Sequence, residues 1–373
     1  MRLLAILTAC LVLLAVVVAL VTVDWTNDFS WDSREGGKSS PQDSSTPRSN
    51  KAERANPPQR RSKSPLSGTY ERRKPLDTAG YSYVGFNLPP WKADSSLAEI
   101  SKIWQQAGHR KIEQINKQLL EPGLSAPERC DLLLTKATLL NYEGEPRESY
   151  KVLEEYRTLI EKDTRLAREA LYSIIVLQGV TALRIGENEN CILCRGESSC
   201  IIPISPSARH TNPYGSRLAI VHFLEYLDEF PNDLEICWLL NLAYMTLGEY
   251  PQGVDPRHLV SLDHFDHSEF DIGKFRDIGH LVGVNRLNQA GGGIMEDFDN
   301  DGLLDIVTTT FDPAGSMAFF HNNGHGAFDD RTAAAGLLDQ LGGLNCVQTD
   351  YNNDGYADIF IVRGAWLPQP VRP

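Results

Sequence analysis

An internal repeat of 53 residues is the feature that most restricts what this chain can fold into. When residue 275 is aligned with residue 328, identical or similar residues coincide without a gap. The matched pairs are Phe275 with Phe328, Asp277 with Asp330, Gly283 with Gly336, Val284 with Leu337, Asp297 with Asp350, Asp301 with Asp354, Gly302 with Gly355, Asp305 with Asp358 and Ile306 with Ile359. A period of about 50 residues with short apolar strands and turn residues predicts the blades of a β-propeller.

Each copy of the repeat contains an acidic loop whose spacing suits a calcium ion. The predicted side-chain ligands are Asp297, Asp299, Asp301 and Asp305 in the first loop and Asp350, Asn352, Asp354 and Asp358 in the second, with main-chain carbonyls from Leu303 and Tyr356. Calcium takes about six to eight oxygen ligands, and a tight loop with Gly at its reversal brings alternate side chains to one point. An ordinary Asp/Asn/Gly turn is the alternative, but turn preference alone does not explain two copies with one spacing.

The acidic loops do not fit an EF-hand. Counting from Asp297, the twelfth position is Thr308, where an EF-hand has a bidentate Glu. The residues around Thr308 are β-branched, which predicts a strand after the loop and not a helix. The fold class that we predict for residues 270–373 is therefore a series of β-propeller repeats.

Further motifs make a family resemblance specific. A hairpin with Asn322, Asn323 and Gly324 follows the first loop, and the pair Asp330 and Thr332 comes after it. These motifs resemble the FG-GAP/VCBS propeller repeat, and their order resembles the cartilage-acidic-protein-like, ASPIC/UnbV-associated branch. The resemblance implies calcium-bearing propellers, as in integrin α heads, whose loops stabilise blades and whose faces bind a protein or glycan partner. It covers about a quarter of the chain, which has no ASPIC/UnbV C-terminal segment, and Asn replaces one carboxylate of the second loop.

The second copy of the repeat is incomplete. At a period of 53 residues it would reach residue 380, whereas the sequence ends at Pro373. About four to eight blades close a propeller and remove its open sheet edges. We therefore expect this chain to be the N-terminal portion of a longer protein or a truncated gene model.

The N-terminus predicts a membrane anchor followed by a tether. Residues 3–23 form an apolar run of 21 residues, and about 20 such residues span a bilayer. Arg2 before the run favours placing the bulk of the chain outside the cytoplasm. A cleaved signal peptide and acylation at Cys10 are alternatives, but the run exceeds the usual h-region of about 7–15 residues. We expect a transmembrane signal-anchor at 1–24 and a disordered Ser/Pro/Lys/Arg-rich tether at 25–85.

Residues 94–250 show helical periodicity, with apolar residues three or four positions apart. Helix pairs are predicted at 132–144 with 149–160, and at 219–227 with 238–244. This arrangement resembles the tetratricopeptide repeat, in which two helices of a roughly 34-residue unit stack on neighbouring units. The resemblance implies a solenoid with a groove for peptides or partner proteins; the alternative is a helical spacer that packs on the next domain.

Three cysteines lie close together between the predicted helix pairs. Covalent haem is excluded because Arg195, and not His, follows Cys191 and Cys194. A zinc site that includes Cys200 and His210 has suitable ligand types, but its spacing fits no common zinc module. Outside the cytoplasm a disulfide is the more economical outcome, with Cys191 and Cys200 as the candidate pair.

Charge and motifs exclude some classes of function. The net charge of the chain is −13 and that of residues 81–373 is −17, whereas a nucleic-acid binder normally has a basic face on its folded part. The sequence contains no Gly-x-Ser-x-Gly, phosphate-loop or His-Glu-x-x-His motif. We predict a membrane-tethered, extracytoplasmic (periplasmic or cell-surface) calcium-binding interaction or scaffold protein that is not an enzyme. The alternative is the N-terminal part of a propeller-based metal-dependent hydrolase or lyase.

Overall fold

The computed structural model describes residues 69–75, 80–85, 88–92, 94–191, 202–265, 270, 273, 275–286, 288–312 and 314–363. All of them fall within the unit Asn56–Pro373. The predicted membrane anchor, most of the predicted tether, and Cys194 and Cys200 lie outside the described residues. The described chain consists of a helical region followed by antiparallel strands, which confirms the predicted order of secondary structure.

The helical region occupies the first part of the described chain. Its helices, together with a short one before the strands, are α1 (Tyr81–Gly85), α2 (Leu97–Trp104), α3 (Ala107–Leu119), α4 (Ala126–Tyr142), α5 (Pro146–Ile160), α6 (Thr164–Asn190), α7 (Tyr214–Leu227), α8 (Leu234–Thr246) and α9 (Gly279–Val282). Single 3-10 turns lie at Pro206–Ala208 and Leu262–Phe265.

Local sequence accounts for where several helices begin. Ser96 caps α2 and Ser125 caps α4, and each forms a capping box with the Glu three residues later. Asp163 caps α6, where its Oδ1 accepts hydrogen bonds from the amides of Arg165 and Leu166. These side chains satisfy amide groups that have no partner within the helix.

The core of the helical region lies between helices that are neighbours in sequence, from α4 to α8. Fully buried side chains include Leu133, Leu139, Leu153, Ile160, Leu171, Ile174, Phe223, Tyr226 and Leu240. Cys130 and Cys237 are buried in this core. The helix pairs predicted from the sequence are present, whereas the 34-residue tetratricopeptide unit stays a prediction, and α6 alone is 27 residues long.

Helices α6 and α7 approach each other closely at two glycines. A Cβ at Gly215 would lie 2.3 Å from the amide nitrogen of Gly186 and 2.6 Å from the carbonyl oxygen of Ala182. Neither backbone atom can move without disturbing α6. The absence of a side chain at Gly215 therefore sets the spacing between these helices.

By length and composition α6 could cross a membrane, and it is the one helix among the described residues for which this holds. However, 61% of its apolar window is buried inside the protein, as expected for the core helix of a folded domain. The predicted anchor at residues 3–23 lies outside the described residues.

A buried arginine links three helices of this region. Arg157 on α5 pairs with Glu225 on α7 through bonds of 3.0 and 2.5 Å, and its Nε donates to Glu161 at 2.8 Å. Its Nη1 also donates to Gln178 on α6 at 3.3 Å. The cost of burying the guanidinium is offset only while these partners stay in place, so the network fixes the register of the three helices.

Part of the segment predicted as a tether packs on the helical region. The amide of Glu71 donates to the carbonyl of Arg168 at 2.9 Å, and the amide of Lys74 donates to Ser173 Oγ at 2.9 Å. Val84 of α1 is only 2% exposed. Residues 69–75 and 80–85 therefore belong to the folded part of the chain.

The strands form two antiparallel sheets. The first sheet contains, in sequence order, β1 (Gly293–Glu296), β2 (Asp305–Thr308), β3 (Ala318–Asn322) and β4 (Phe328–Asp330). The second sheet pairs β5 (Asn345–Thr349) with β6 (Asp358–Val362). A four-stranded antiparallel meander is the form of a propeller blade. Shifting β1 and β2 by 53 residues places them within β5 and β6. Gln348 Nε2 donates to Glu296 Oε2 at 3.2 Å, so the first strands of the two copies lie side by side.

Candidate metal centre

The two acidic loops connect the first two strands of each copy, and they share one backbone conformation. The φ angle is 59° at Asn300 and 57° at Asn353, and it is 87° at both Gly302 and Gly355. These angles lie in the left-handed region, which Gly adopts without a Cβ penalty and Asn tolerates. The repeated spacing in the sequence therefore corresponds to a repeated loop conformation.

The first acid of each loop holds the loop closed. Asp297 Oδ1 accepts from the amide of Asp301 at 3.0 Å, and Asp297 Oδ2 accepts from the amide of Gly302 at 2.9 Å. The two equivalent bonds to Asp350 are both 3.0 Å long. Asp297 and Asp350 thus organise the amide groups of their loops, which fixes where the later side chains of each loop project.

Three potential ligand atoms converge at the first loop, two from the loop itself and one from β3. Oxygens of Asp299 and Asp301 and a ring nitrogen of His321 all lie within 4.8 Å of one another. In the part of the chain that the structure describes, this is the one group of three or more His, Cys, Asp or Glu side chains close enough to hold a metal ion. The two carboxylates are exposed, whereas His321 is buried.

Asp305, the last predicted side-chain ligand of the first loop, is fully buried at the start of β2. Its Oδ1 accepts from the amide of Asn322 at 2.8 Å, but its Oδ2 has no hydrogen-bond partner. A buried carboxylate oxygen without a partner is costly. The residues of the first loop therefore fit a cation, because a bound cation would give the buried carboxylate of Asp305 a positively charged partner.

The second loop is arranged differently. Asn352 Oδ1 accepts from the amide of Asp354 at 2.9 Å, and Asn352 Nδ2 donates to Asp354 Oδ2 at 2.9 Å. Asp358 Oδ2 accepts from the amide of Tyr351 at 2.9 Å. These oxygens are satisfied by protein donors, and the loop is exposed. The second loop therefore has less need of a cation than the first.

The amide groups at the two predicted main-chain ligand positions bond to carboxylates of their loops. The amide of Leu303 donates to Asp301 Oδ1 at 2.8 Å, and the amide of Tyr356 donates to Asp354 Oδ1 at 2.9 Å. These bonds orient the two carboxylates. Coordination by the carbonyl groups of Leu303 and Tyr356 stays a prediction.

Sequence reasoning missed His321. Ile306 pairs with Phe320 across β2 and β3, so the next position places His321 beside Asp305. The alternation of side chains along paired strands could have placed His321 beside Asp305, but only with the strand register known. The hairpin sequence alone does not fix that register.

The cysteine cluster is described only at Cys191, at the end of α6. Cys191 Sγ lies 3.4 Å from His210 Nε2, and His210 Nδ1 lies 2.9 Å from Ser216 Oγ. Burial lowers the pKa of His210. Because Cys200 lies outside the described residues, the disulfide between Cys191 and Cys200 stays a prediction.

Part of the connection between the helices and the strands is packed. His258 is 5% exposed, and its carbonyl accepts from Asn241 Nδ2 on α8 at 2.7 Å. Val254 is also buried. These positions therefore belong to the folded part of the chain.

Comparison with known proteins agrees with the sheet and its loops. No curated protein and no solved structure shows significant similarity to the chain. A family model described as FG-GAP-like repeat matches residues 297–361, from the first acid of the first loop to the last strand. The chain thus contains an FG-GAP-like repeat that spans both acidic loops.

Proposed function

We propose that this chain is a membrane-tethered, extracytoplasmic interaction or scaffold protein whose acidic loops bind calcium. The observation that carries the proposal is the first loop, where Asp299 and Asp301 converge with His321, whose Nδ1 lies 3.2 Å from the buried carboxylate of Asp305. FG-GAP-like repeats are typical of extracellular proteins, which supports a location outside the cytoplasm.

The proposed calcium ion has a structural role. The ion would connect the loop between β1 and β2, which carries Asp299 and Asp301, to the buried start of β2, which carries Asp305. A cation that binds the folded chain better than the unfolded chain stabilises the fold by mass action. Bound calcium would thus hold the loops of neighbouring repeats in a fixed shape for contact with a protein or glycan partner.

Thermal unfolding of the full chain with calcium or chelator tests the calcium proposal. At a free calcium concentration of about 100 times Kd, the ion should stabilise the chain by about 2.7 kcal/mol. Asp299→Asn combined with Asp301→Asn should remove most of this gain. Asp339→Asn, which changes an exposed acid outside both loops, is the matched control and should retain it. Equal melting temperatures in calcium and chelator would overturn the calcium proposal.

The interaction proposal requires a partner whose binding depends on calcium. The full chain displayed on a surface should retain a protein or glycan ligand in calcium and release it in chelator, and the double Asp variant should bind weakly in both. Equal partner binding in calcium, in chelator and by the double variant would show that partner recognition does not depend on the acidic loops.

The anchor proposal has a test of its own. If residues 3–23 remain in the membrane, the chain should stay in the membrane fraction after carbonate washing, and protease added outside should remove the folded regions. Recovery of a soluble chain that begins near Asp24 would show instead that the segment is a cleaved signal peptide.

A further inference from the structure

A histidine nitrogen lies against the first acidic loop, although calcium sites are built from oxygen. His321 Nδ1 is 3.3 Å from Asp299 Oδ2 and 3.2 Å from Asp305 Oδ1. The side chain of His321 is 10% exposed, and that of Asp305 is fully buried. The imidazole is therefore buried beside one buried carboxylate and one exposed carboxylate.

Hydrogen bonding does not account for this contact. His321 Nδ1 has no hydrogen-bond partner, although two carboxylate oxygens lie within 3.3 Å of it. Asp305 Oδ2 has none either. Two buried polar atoms, one nitrogen and one oxygen, are thus left unsatisfied in the same place, at a cost that native proteins rarely accept without a ligand.

The spacing and the donor types fit one metal ion. Two ligands at right angles on a metal, each about 2.1 Å from it, lie about 3 Å apart. The separations of His321 Nδ1 from the two carboxylate oxygens are close to that value. Imidazole suits first-row transition ions, whereas calcium and magnesium prefer oxygen alone. Manganese(II) takes carboxylate oxygen, and His321 Nδ1 lies within 3.3 Å of an oxygen of both Asp299 and Asp305.

We propose that the first loop is a mixed nitrogen and oxygen site, in which His321 joins Asp299, Asp301 and Asp305 to bind a first-row transition ion such as Mn²⁺. The proposal rests on the cation site of the proposed function and adds a nitrogen ligand to the oxygens that would hold calcium there. The second loop presents Asn352 and carboxylates, and no histidine of the described residues forms a metal-binding group with it.

Electron spin-echo spectroscopy of Mn²⁺ bound to the full chain tests the nitrogen ligand directly. The wild type should show ¹⁴N modulation from a coordinated imidazole. His321→Gln, which keeps a polar side chain of similar length, should remove the modulation and weaken Mn²⁺ binding at least about tenfold. His325→Leu is the matched control, since His325 is exposed on the same hairpin, and it should leave both readouts unchanged.

The outcomes separate this inference from the proposed function. Mn²⁺ without ¹⁴N modulation in the wild type, or modulation that persists in His321→Gln, would overturn the role of His321 while calcium binding still stands. Calcium titration of the same samples reports on the proposed function by itself. If the wild type binds Mn²⁺ through nitrogen but shows no calcium binding, the calcium proposal fails and the mixed site stands.

Discussion

Arg73 Nε donates to Asp233 Oδ2 at 2.9 Å, although the two residues are 160 positions apart in the sequence. Asp233 is also the N-cap of α8, and its Oδ2 accepts from the hydroxyl of Tyr226 on α7 at 2.8 Å. Its side chain is 1% exposed. One buried carboxylate therefore joins residues 69–75 to two helices of the core.

We expect Arg73→Ala to lower the free energy of unfolding of the full chain. Removing one partner of a buried pair costs about 3–5 kcal/mol, and Arg72, which also donates to Asp233, should limit the loss to about 2 kcal/mol. Urea unfolding followed by circular dichroism measures the loss. The matched control is Arg129→Ala, which breaks an exposed pair with Glu155 and should cost less than about 1 kcal/mol. Equal losses for the two variants would contradict the role of Asp233.

The same carboxylate predicts a dependence of stability on pH. Burial by itself raises the pKa of Asp233, but hydrogen bonds from Arg73, Tyr226 and Arg72 outweigh burial and lower the pKa to about 2 from an ordinary value of 3.8. A group with a lower pKa in the folded state stabilises the fold above its unfolded pKa, and this contribution is lost as the pH falls from about 4 to about 2.

The variant Asp233→Asn isolates this contribution. At neutral pH it should be less stable than the wild type, and the difference should shrink as the pH falls through the window between about 4 and about 2. Urea unfolding at a series of pH values measures the difference. A gap between the two proteins that stays constant from neutral pH to pH 2 would show that Asp233 is not the titrating group.

Gly302 tests the loop conformation separately from the metal. Its φ of 87° is unfavourable for other residues, while a Cβ there would meet no atom within 4 Å, so strain is the only expected effect. Gly302→Val should lower the free energy of unfolding by at least about 1–2 kcal/mol in chelator as well as in calcium. Gly293→Ala is the control, since its Cβ would make only ordinary contacts in β1. Destabilisation of Gly302→Val in calcium alone would contradict the strain argument.

The two loops should differ in calcium affinity. The first has four carboxylates and the second three, because Asn352 stands where the first loop has Asp299. Calcium affinity rises with ligand charge and with rigidity of the site. Asp301→Ala should therefore reduce the calcium-dependent rise in melting temperature more than Asp354→Ala does. Calorimetry of the two variants checks the order, and a stronger effect of Asp354→Ala would reverse it.

Local sequence accounts for the elements whose geometry depends on neighbouring residues. Ser96 and Ser125 begin helices because each lies three positions before a Glu that completes a capping box. The acidic loops were also predictable, since Gly302 and Gly355 at equal spacing adopt the same φ. The repeat of 53 residues also reappears in the positions of the strands, because strand and turn residues recur at one period.

The sequence by itself determined the order of helices and strands, the two loops and their supply of oxygen ligands. Only the tertiary structure decided that His321 stands beside Asp305, that Arg73 reaches Asp233, and that part of the expected tether is folded. These contacts join positions far apart in the chain, and they depend on strand register and helix packing, which local spacing does not specify.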